Sequence, residues 1–599
     1  MSDSILENYL DVEERESKQI NPENLRNLIP WILKHSGPFY GGIGMILLET
    51  SAILLEPWLF GYAIDAAIIP RNWHFLVKIA TFFLLATCIR VSAVIAQGYL
   101  FELLGQRVCQ DLRIALYSHL QRLPIGVFDR NPAGRLLTRV TNDVAAISEM
   151  FSAGVVAVLR NFLQVAGIII VLMFLNFKLA LIACVVFPPL VFASVYFSGK
   201  LKVAYREARS KLSALNAFLA ENLLGMRVVN LFNRQGLHMD RFMRINAWYA
   251  DAQASSVKVF ALFQPTITWA AGISVALVIW FGGKQISLGT FKVGLLVSFF
   301  AYVLSLFQPV REIADKWNIF LSGMASAERV FSILTWSTEV SIGEAQSAAQ
   351  PIAQIRGHIV FENVTFAYEK EHWILKDFSL EIHPGERIGV VGHTGAGKTT
   401  LIALLMRFYD PQKGRILLDG KDLKSYDLRS LRASIGVVQQ DVFLFSGSIA
   451  DNIDFWSGGA KPDLTALGFT KNPELDERGT NLSVGEKQIL AFARVLATDP
   501  KIWILDEATA NMDSQTESLL QTKLAQASYG KTSILIAHRL ATVKGADQIL
   551  VLHKGALLEK GKHEELVKLN GLYARLYRYQ LSQTETEETP HRGFVQPEL

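Results

Sequence analysis

At 599 residues, 50% hydrophobic and with a mean hydropathy of +0.25, the chain is too long for a single core and too apolar for a wholly soluble protein. Its 59 basic and 55 acidic residues leave a net charge of +4, a balance that excludes a nucleic-acid surface built on charge alone. The cysteines, Cys88, Cys109 and Cys184, show no CxxC or CxxH spacing, which argues against a metal site or a disulfide framework and for small buried hydrophobes.

Residues 1–36 are polar and acidic at first, without the charged start, apolar middle and small-residue cleavage site of a signal peptide. They read as a cytosolic N-terminus ending in an interfacial elbow helix, NPENLRNLIPWILKH. Residues 37–325 then offer six apolar segments, near 38–64, 73–101, 151–175, 178–199, 257–283 and 291–311, each close to the about 20 residues that cross a hydrocarbon layer. An all-α six-helix transmembrane domain is expected.

Two long polar stretches, after the second and fourth segments, carry clusters of Arg and Lys, including Arg107, Arg113, Arg130, Arg135, Lys200, Lys202 and Arg206. The positive-inside tendency places both stretches and both termini in the cytosol. Glu49, Glu56, Arg90 and Arg160 interrupt the apolar runs. Charge at membrane depth is costly, so Arg90 is expected to pair with Glu49 or Glu56; a polar substrate or proton path is the alternative. Pro57, Pro188, Pro189, Pro265 and Pro309 read as helix kinks.

Residues 326–357 read as a linker, 358–580 as an α/β domain and 581–599 as a disordered tail. Within the α/β domain, short apolar strands (HIVFENV, RIGVVG, RILLDG, IGVVQQ, KIWILDE, TSILIAH, QILVLHKG) alternate with helical segments, which points to a mainly parallel sheet. The strand RIGVV runs into Gly392, His393, Thr394, Gly395, Ala396, Gly397, Lys398, Thr399 and Thr400, a GxxxxGK[ST] phosphate loop. There the backbone N–H groups would surround the phosphates of a nucleotide, Lys398 would add a cation, and the Thr399 hydroxyl would reach Mg²⁺.

Strand KIWIL ends in Asp506, a carboxylate for the Mg²⁺ shell, followed by Glu507, placed to polarise an attacking water. His538 ends TSILIA and suits a γ-phosphate contact, while Gln440 ends IGVVQ and suits sensing of the metal and γ-phosphate. Tyr368 offers an aromatic face to adenine, as it would to any base, with an ordinary core tyrosine as the alternative.

Together GHTGAGKTT, VVQQDVFLFSGSI, NLSVGEKQILAFARVLATDPKIWILDEATANMD and IAHRL closely resemble the ATP-binding cassette (ABC) transporters, specifically exporter half-transporters, over about residues 25 to 580. The resemblance implies that Leu482, Ser483, Val484, Gly485 and Glu486 form the signature that closes on ATP bound by a partner cassette. It also implies that Asp513 communicates between the two sites and that loops near Pro124–Gly134 and Leu212–Leu224 couple the domains. Three departures limit what it implies: LSVGE replaces LSGGQ, putting a negative charge near the nucleotide, the segment after Asn452 is short, and ATANMD replaces ATSALD, a milder change.

The implied function is ATP-hydrolysing export of an amphipathic, lipid-like or drug-like small molecule, or a peptide, by alternating access in a dimer. A homodimer is favoured slightly over pairing with a different half-transporter. An ATP-gated pore without active pumping is the rival reading, and nucleic acid is not an expected partner.

Overall fold

The computed structural model describes residues 22–338, 355–369, 372–457, 474–506, 522–524, 526–537 and 540–587. They fall into two compact units: Arg122–Asn131 group with everything from Ser337 onward, and the remaining residues up to Trp336 form the other unit.

The first unit is helical. Helix α1 (Pro22–Leu33) covers the elbow expected before the membrane, and α2 (Ser36–Ala63) continues through a π-helical turn, Ile64–Ile68. The following helices are α3 (Trp73–Leu120), α4 (Val156–Leu175), α5 (Phe177–Cys184), α6 (Phe187–Leu224), α7 (Gln235–Ser287), α8 (Val293–Ser305) and α9 (Phe307–Leu334). Helix α9 runs on into the stretch read as a linker from 326.

Among the described residues four helices are long and apolar enough to cross a membrane: Ser36–Ile68, Trp73–Leu120, Ala133–Leu175 and Gln235–Ser287. The expected fourth and sixth spans occur as shorter apolar helices, Phe177–Leu190 and Val293–Pro309. Each is interrupted beside proline. Pro188 and Pro189 open α6 after a turn at Val185–Val186, and Pro309 follows the break at Leu306, where a missing N–H interrupts the helical ladder. Pro57 and Pro265, by contrast, lie inside unbroken helices.

Polar side chains set the helix ends. Asn72 accepts from Phe75 N at 3.1 Å and starts α3; Asn176 accepts from Leu179 N at 3.0 Å and starts α5. Helix α8 is capped by a different helix: Asp65 accepts from Gly294 N at 2.7 Å and Leu295 N at 3.1 Å. This is allowed because α2 and α8 touch backbone to backbone. A Cβ on Gly294 would lie 2.0 Å from Gly61 O, and helices in lipid gain most from such close packing of small residues. Large side chains such as Phe174, 87% exposed, face outward, as a lipid solvent permits. Cys109 is buried, but Cys88 is exposed on α3, so the expectation of burial fails there; an outward apolar thiol needs no protein partner in hydrocarbon.

In the second unit β1 (Ile359–Phe366), β2 (Leu375–Ile382), β4 (Lys413–Leu418) and β5 (Lys421–Asp422) form an antiparallel sheet in the order β2-β1-β4-β5. A six-stranded sheet, ordered β12-β11-β3-β10-β9-β6, uses β3 (Arg387–Gly392), β6 (Ile435–Val438), β9 (Ile502–Asp506), β10 (Thr532–Ile536), β11 (Gln548–His553) and β12 (Ala556–Gly561). All its pairs are parallel except β11 with β12. The remaining pair, β7 (Gly447–Ser448) and β8 (Glu474–Leu475), is antiparallel.

Both faces of the large sheet are buried. Ile388, Val390, Ile504, Ile534 and Leu550 pack to one side, with Leu401, Leu404 and Leu405 of α10 (Lys398–Leu405). Val391, Trp503, Leu505, Leu535 and Val551 pack to the other, with Phe492 and Val495 of α11 (Val484–Thr498). Double burial is why these strands are unbroken apolar runs in the sequence. At the C-terminus a helix over Leu572–Glu587 extends beyond residue 581, where the tail was expected to begin.

Candidate nucleotide site

Parallel strands deliver their C-terminal ends to one edge, and that edge gathers the residues expected to hold the phosphates. In register, Val390 of β3 pairs with Ile536 of β10, Ile536 with Asp506 of β9, and Leu505 with Val438 of β6. The glycine loop after β3, Asp506 and the segment leading to Gln440 therefore emerge on neighbouring strand tips. Glu507, Asp513 and His538 lie outside the described residues.

The loop is shaped by backbone conformations that favour glycine. Gly395 has φ +80° and Gly397 φ +102°, the latter just before α10; a Cβ on Gly397 would sit 2.9 Å from Leu375 Cδ2. Such a turn aims successive N–H groups, and the N-terminal end of α10, at one volume suited to an anion. Lys398 is buried, its Nζ donating to Gly392 O at 2.6 Å and His393 O at 3.2 Å, which places an ammonium within the loop. Ala396 and Thr400 are buried, while His393, Thr394 and Thr399 are exposed at the loop surface. An exposed hydroxyl on Thr399 and a carboxylate at the end of β9 are hard oxygen donors, a set that fits Mg²⁺.

Tyr368 is half-buried and donates to Thr400 Oγ1 at 3.3 Å; burial pushes its phenol up. Its ring meets Phe366 and Tyr409 edge to face, with centroids 4.9 and 5.0 Å away. Tyr409, which the sequence reading passed over, ties this aromatic group to the short helix Ile125–Arg130 in the same unit. Its hydroxyl donates to Asp129, Arg130 Nη2 donates to Tyr368 O at 3.1 Å, and a Cβ on Gly126 would lie 2.9 Å from Tyr409 Cε1. Burial and the bond to the Asp129 carboxylate push the Tyr409 phenol far up.

Ser483 is the N-cap of α11, and its environment changes the view of LSVGE. Ser483 Oγ accepts from Glu486 N at 3.2 Å while Glu486 Oε2 accepts from Ser483 N at 2.8 Å, a complete capping box. The Ser-x-x-Glu spacing is the local signal for this cap, which a reading of Glu486 only as a charge near the nucleotide misses. Leu482 packs with Leu444, Ile449 and Leu490; Val484 and Glu486 are exposed, and Gly485 lies between them, partly covered.

Two further contacts bind this helix to the Gln440 segment. Gln488 Nε2 donates to Gln440 O at 2.8 Å, and Arg494 donates to Phe443 O and to Asn452. Neither had a motif to announce it.

In the first unit Arg90 Nε lies 2.7 Å from Glu56 Oε1, which also accepts from Thr87. Glu49 stands outside this pair and is buried, so of the two partners considered for Arg90 the geometry selects Glu56. Arg160 pairs with Glu312 on α9 at 2.6 Å, a partner that spacing could not reveal across so much intervening chain.

Residues 40–310 match the family described as ABC transporter transmembrane region, and 375–510 match the one described as ABC transporter. An uncharacterised ABC transporter ATP-binding protein of Bacillus subtilis (strain 168) is 35% identical over 90% of this chain and 91% of its own length. An ATP-dependent lipid A-core flippase of Syntrophus aciditrophicus (strain SB) is 33% identical over 91% of this chain and 92% of its own. Among solved structures, a bacterial Atm1-family ABC exporter with ATP bound superposes with a TM-score of 0.74 at 26% identity, over 93% of this chain and 99% of that one.

Proposed function

The chain belongs to the ABC transporter family as an exporter-type half-transporter driven by ATP, and from that premise we propose that it moves an amphipathic, lipid-like or drug-like substrate by alternating access. The working unit is a dimer in a plasma (inner) membrane with both termini cytosolic. The glycine loop supports this reading most directly: an ammonium among carbonyls, glycine-only turns and the Asp506 strand tip are what a triphosphate needs.

In this proposal Lys398 and the loop N–H groups hold the phosphates, and Tyr368 offers its ring to adenine. Thr399, Asp506 and Gln440 would hold Mg²⁺, which when bound neutralises charge on the β- and γ-oxygens. Glu507 takes a proton from the attacking water, and His538 fixes the γ-phosphate. Leu482–Glu486 of one chain close on the nucleotide of the other, and closure passes to the membrane helices through loops such as Ile125–Arg130.

Glu507→Gln is expected to retain ATP binding and lose nearly all phosphate release; unchanged turnover removes Glu507 from its role. Uphill transport in proteoliposomes distinguishes a pump from an ATP-gated pore, which cannot concentrate cargo. The partner proposed is a second copy of the chain. Glu486, standing where the usual signature ends in glutamine, supports a second reading, a heterodimer with one weakened site, and the mass of the purified complex decides between them.

A further inference from the structure

The antiparallel sheet carries a donor cluster that nucleotide binding does not use. His358 directly precedes β1, while Glu381 and His383 lie at the end of β2, where Ile359 pairs with Ile382 and Val360 with Glu381. Side chains alternate along a strand, so in this register all three residues belong to one face.

The two imidazoles stack with centroids 5.7 Å apart and planes 3° from parallel, and His358 Nε2 lies 2.9 Å from Glu381 Oε1. One donor atom from each residue falls within 4.8 Å of the others. The backbone beneath them is pinned: Asp419 accepts from His358 N at 2.9 Å and Glu386 accepts from His383 N at 2.8 Å. A surface ion pair would need one imidazole only; here a second ring is brought alongside on a rigid strand pair.

We infer that His358, Glu381 and His383 form a binding site for a divalent transition-metal cation, Zn²⁺ being the ion their chemistry suits best. Two imidazole nitrogens and one carboxylate with water as a fourth ligand are a zinc donor set, whereas Mg²⁺ and Ca²⁺ favour oxygen alone. The cation takes the place of the His358–Glu381 contact and staples the start of β1 to the end of β2. Ligand bonds of about 2.0–2.2 Å require the rings to turn toward each other, which partly exposed side chains can do. Tyr368 lies two residues beyond the far end of β1, so the ion would anchor the start of the strand that leads to the adenine-facing ring.

The test uses the full-length, tag-free chain in detergent, stripped with a chelator and titrated with Co²⁺ and then Zn²⁺. One Co²⁺ per chain is expected, with the visible absorption of a low-coordinate nitrogen–oxygen site, lost on adding Zn²⁺. His358→Ala and His383→Ala each weaken binding by more than about tenfold, and Glu381→Gln does so to a smaller extent, with ATP affinity retained as the check on folding. Absence of a one-equivalent cobalt signal, or an unchanged isotherm in a chain carrying both His358→Ala and His383→Ala, overturns the assignment.

Discussion

Arg494 sits where the signature helix meets the segment that follows Gln440, and Arg494→Met isolates what it does there. Its Nε donates to Asn452 O at 3.0 Å, Nη1 to Phe443 O at 2.8 Å and Nη2 to Asn452 Oδ1 at 2.8 Å. Asn452 is itself buried and bonds Phe445 N and O, so one guanidinium organises both sides of the junction. Burial lowers the Arg494 pKa, yet a guanidinium stays charged at any physiological pH.

Methionine keeps the apolar stem and removes every donor. Each hydrogen bond from a charged group contributes about 1.5–3 kcal/mol alone; sharing one cation makes them non-additive, so the combined loss should be about 3–5 kcal/mol. If that loss falls on local opening, the opening constant of this junction rises roughly a hundred- to several-thousand-fold. Hydrogen exchange of the full-length chain in detergent reads it as faster exchange in Phe443–Ser448 and Val484–Thr498, with the strands of the large sheet unaffected. A change below about tenfold in those peptides would refute the view of Arg494 as the tie between them. Arg494→Lys, keeping charge without the fork, is expected to fall between.

Three other outcomes follow from named contacts. Glu486→Gln preserves the capping box but removes a charge; repulsion across about 8 Å of water-like medium corresponds to about a twofold gain in ATP turnover or affinity, read by steady-state phosphate release. Gly126→Val forces a branched side chain into the Tyr409 ring, so basal ATPase activity should persist while its stimulation by transported compounds is lost; intact stimulation would exclude a coupling role for this helix. Arg90→Ala leaves the Glu56 carboxylate in an apolar span without its cation, keeping only the Thr87 hydroxyl, at a cost of about 1–3 kcal/mol, seen as a lower thermal-inactivation temperature. The exchange Arg90→Glu with Glu56→Arg should recover much of that loss.

The order of domains and the nucleotide motifs were legible in the sequence because their physics is local. Apolar run length marks a membrane helix, and an apolar strand followed by Gly392–Thr399 marks a phosphate loop whatever lies around it. The Ser-x-x-Glu spacing at Ser483 is equally local, yet the sequence reading takes Glu486 only as a charge near the nucleotide, and it is the structure that engages its carboxylate with its own helix.

Tertiary structure alone decided which carboxylate Arg90 takes, since Glu49 and Glu56 share a helix periodicity and only packing of α2 against α3 brings one of them within reach. The same holds for Arg160 with Glu312, Gln488 with Gln440, and Tyr409 with Asp129: each pair joins distant stretches of chain. The His358–Glu381–His383 cluster exists because antiparallel register sets the ends of two strands side by side. A side chain advertises its own chemistry, but its partner is chosen by the fold, which alone sets the distance between them.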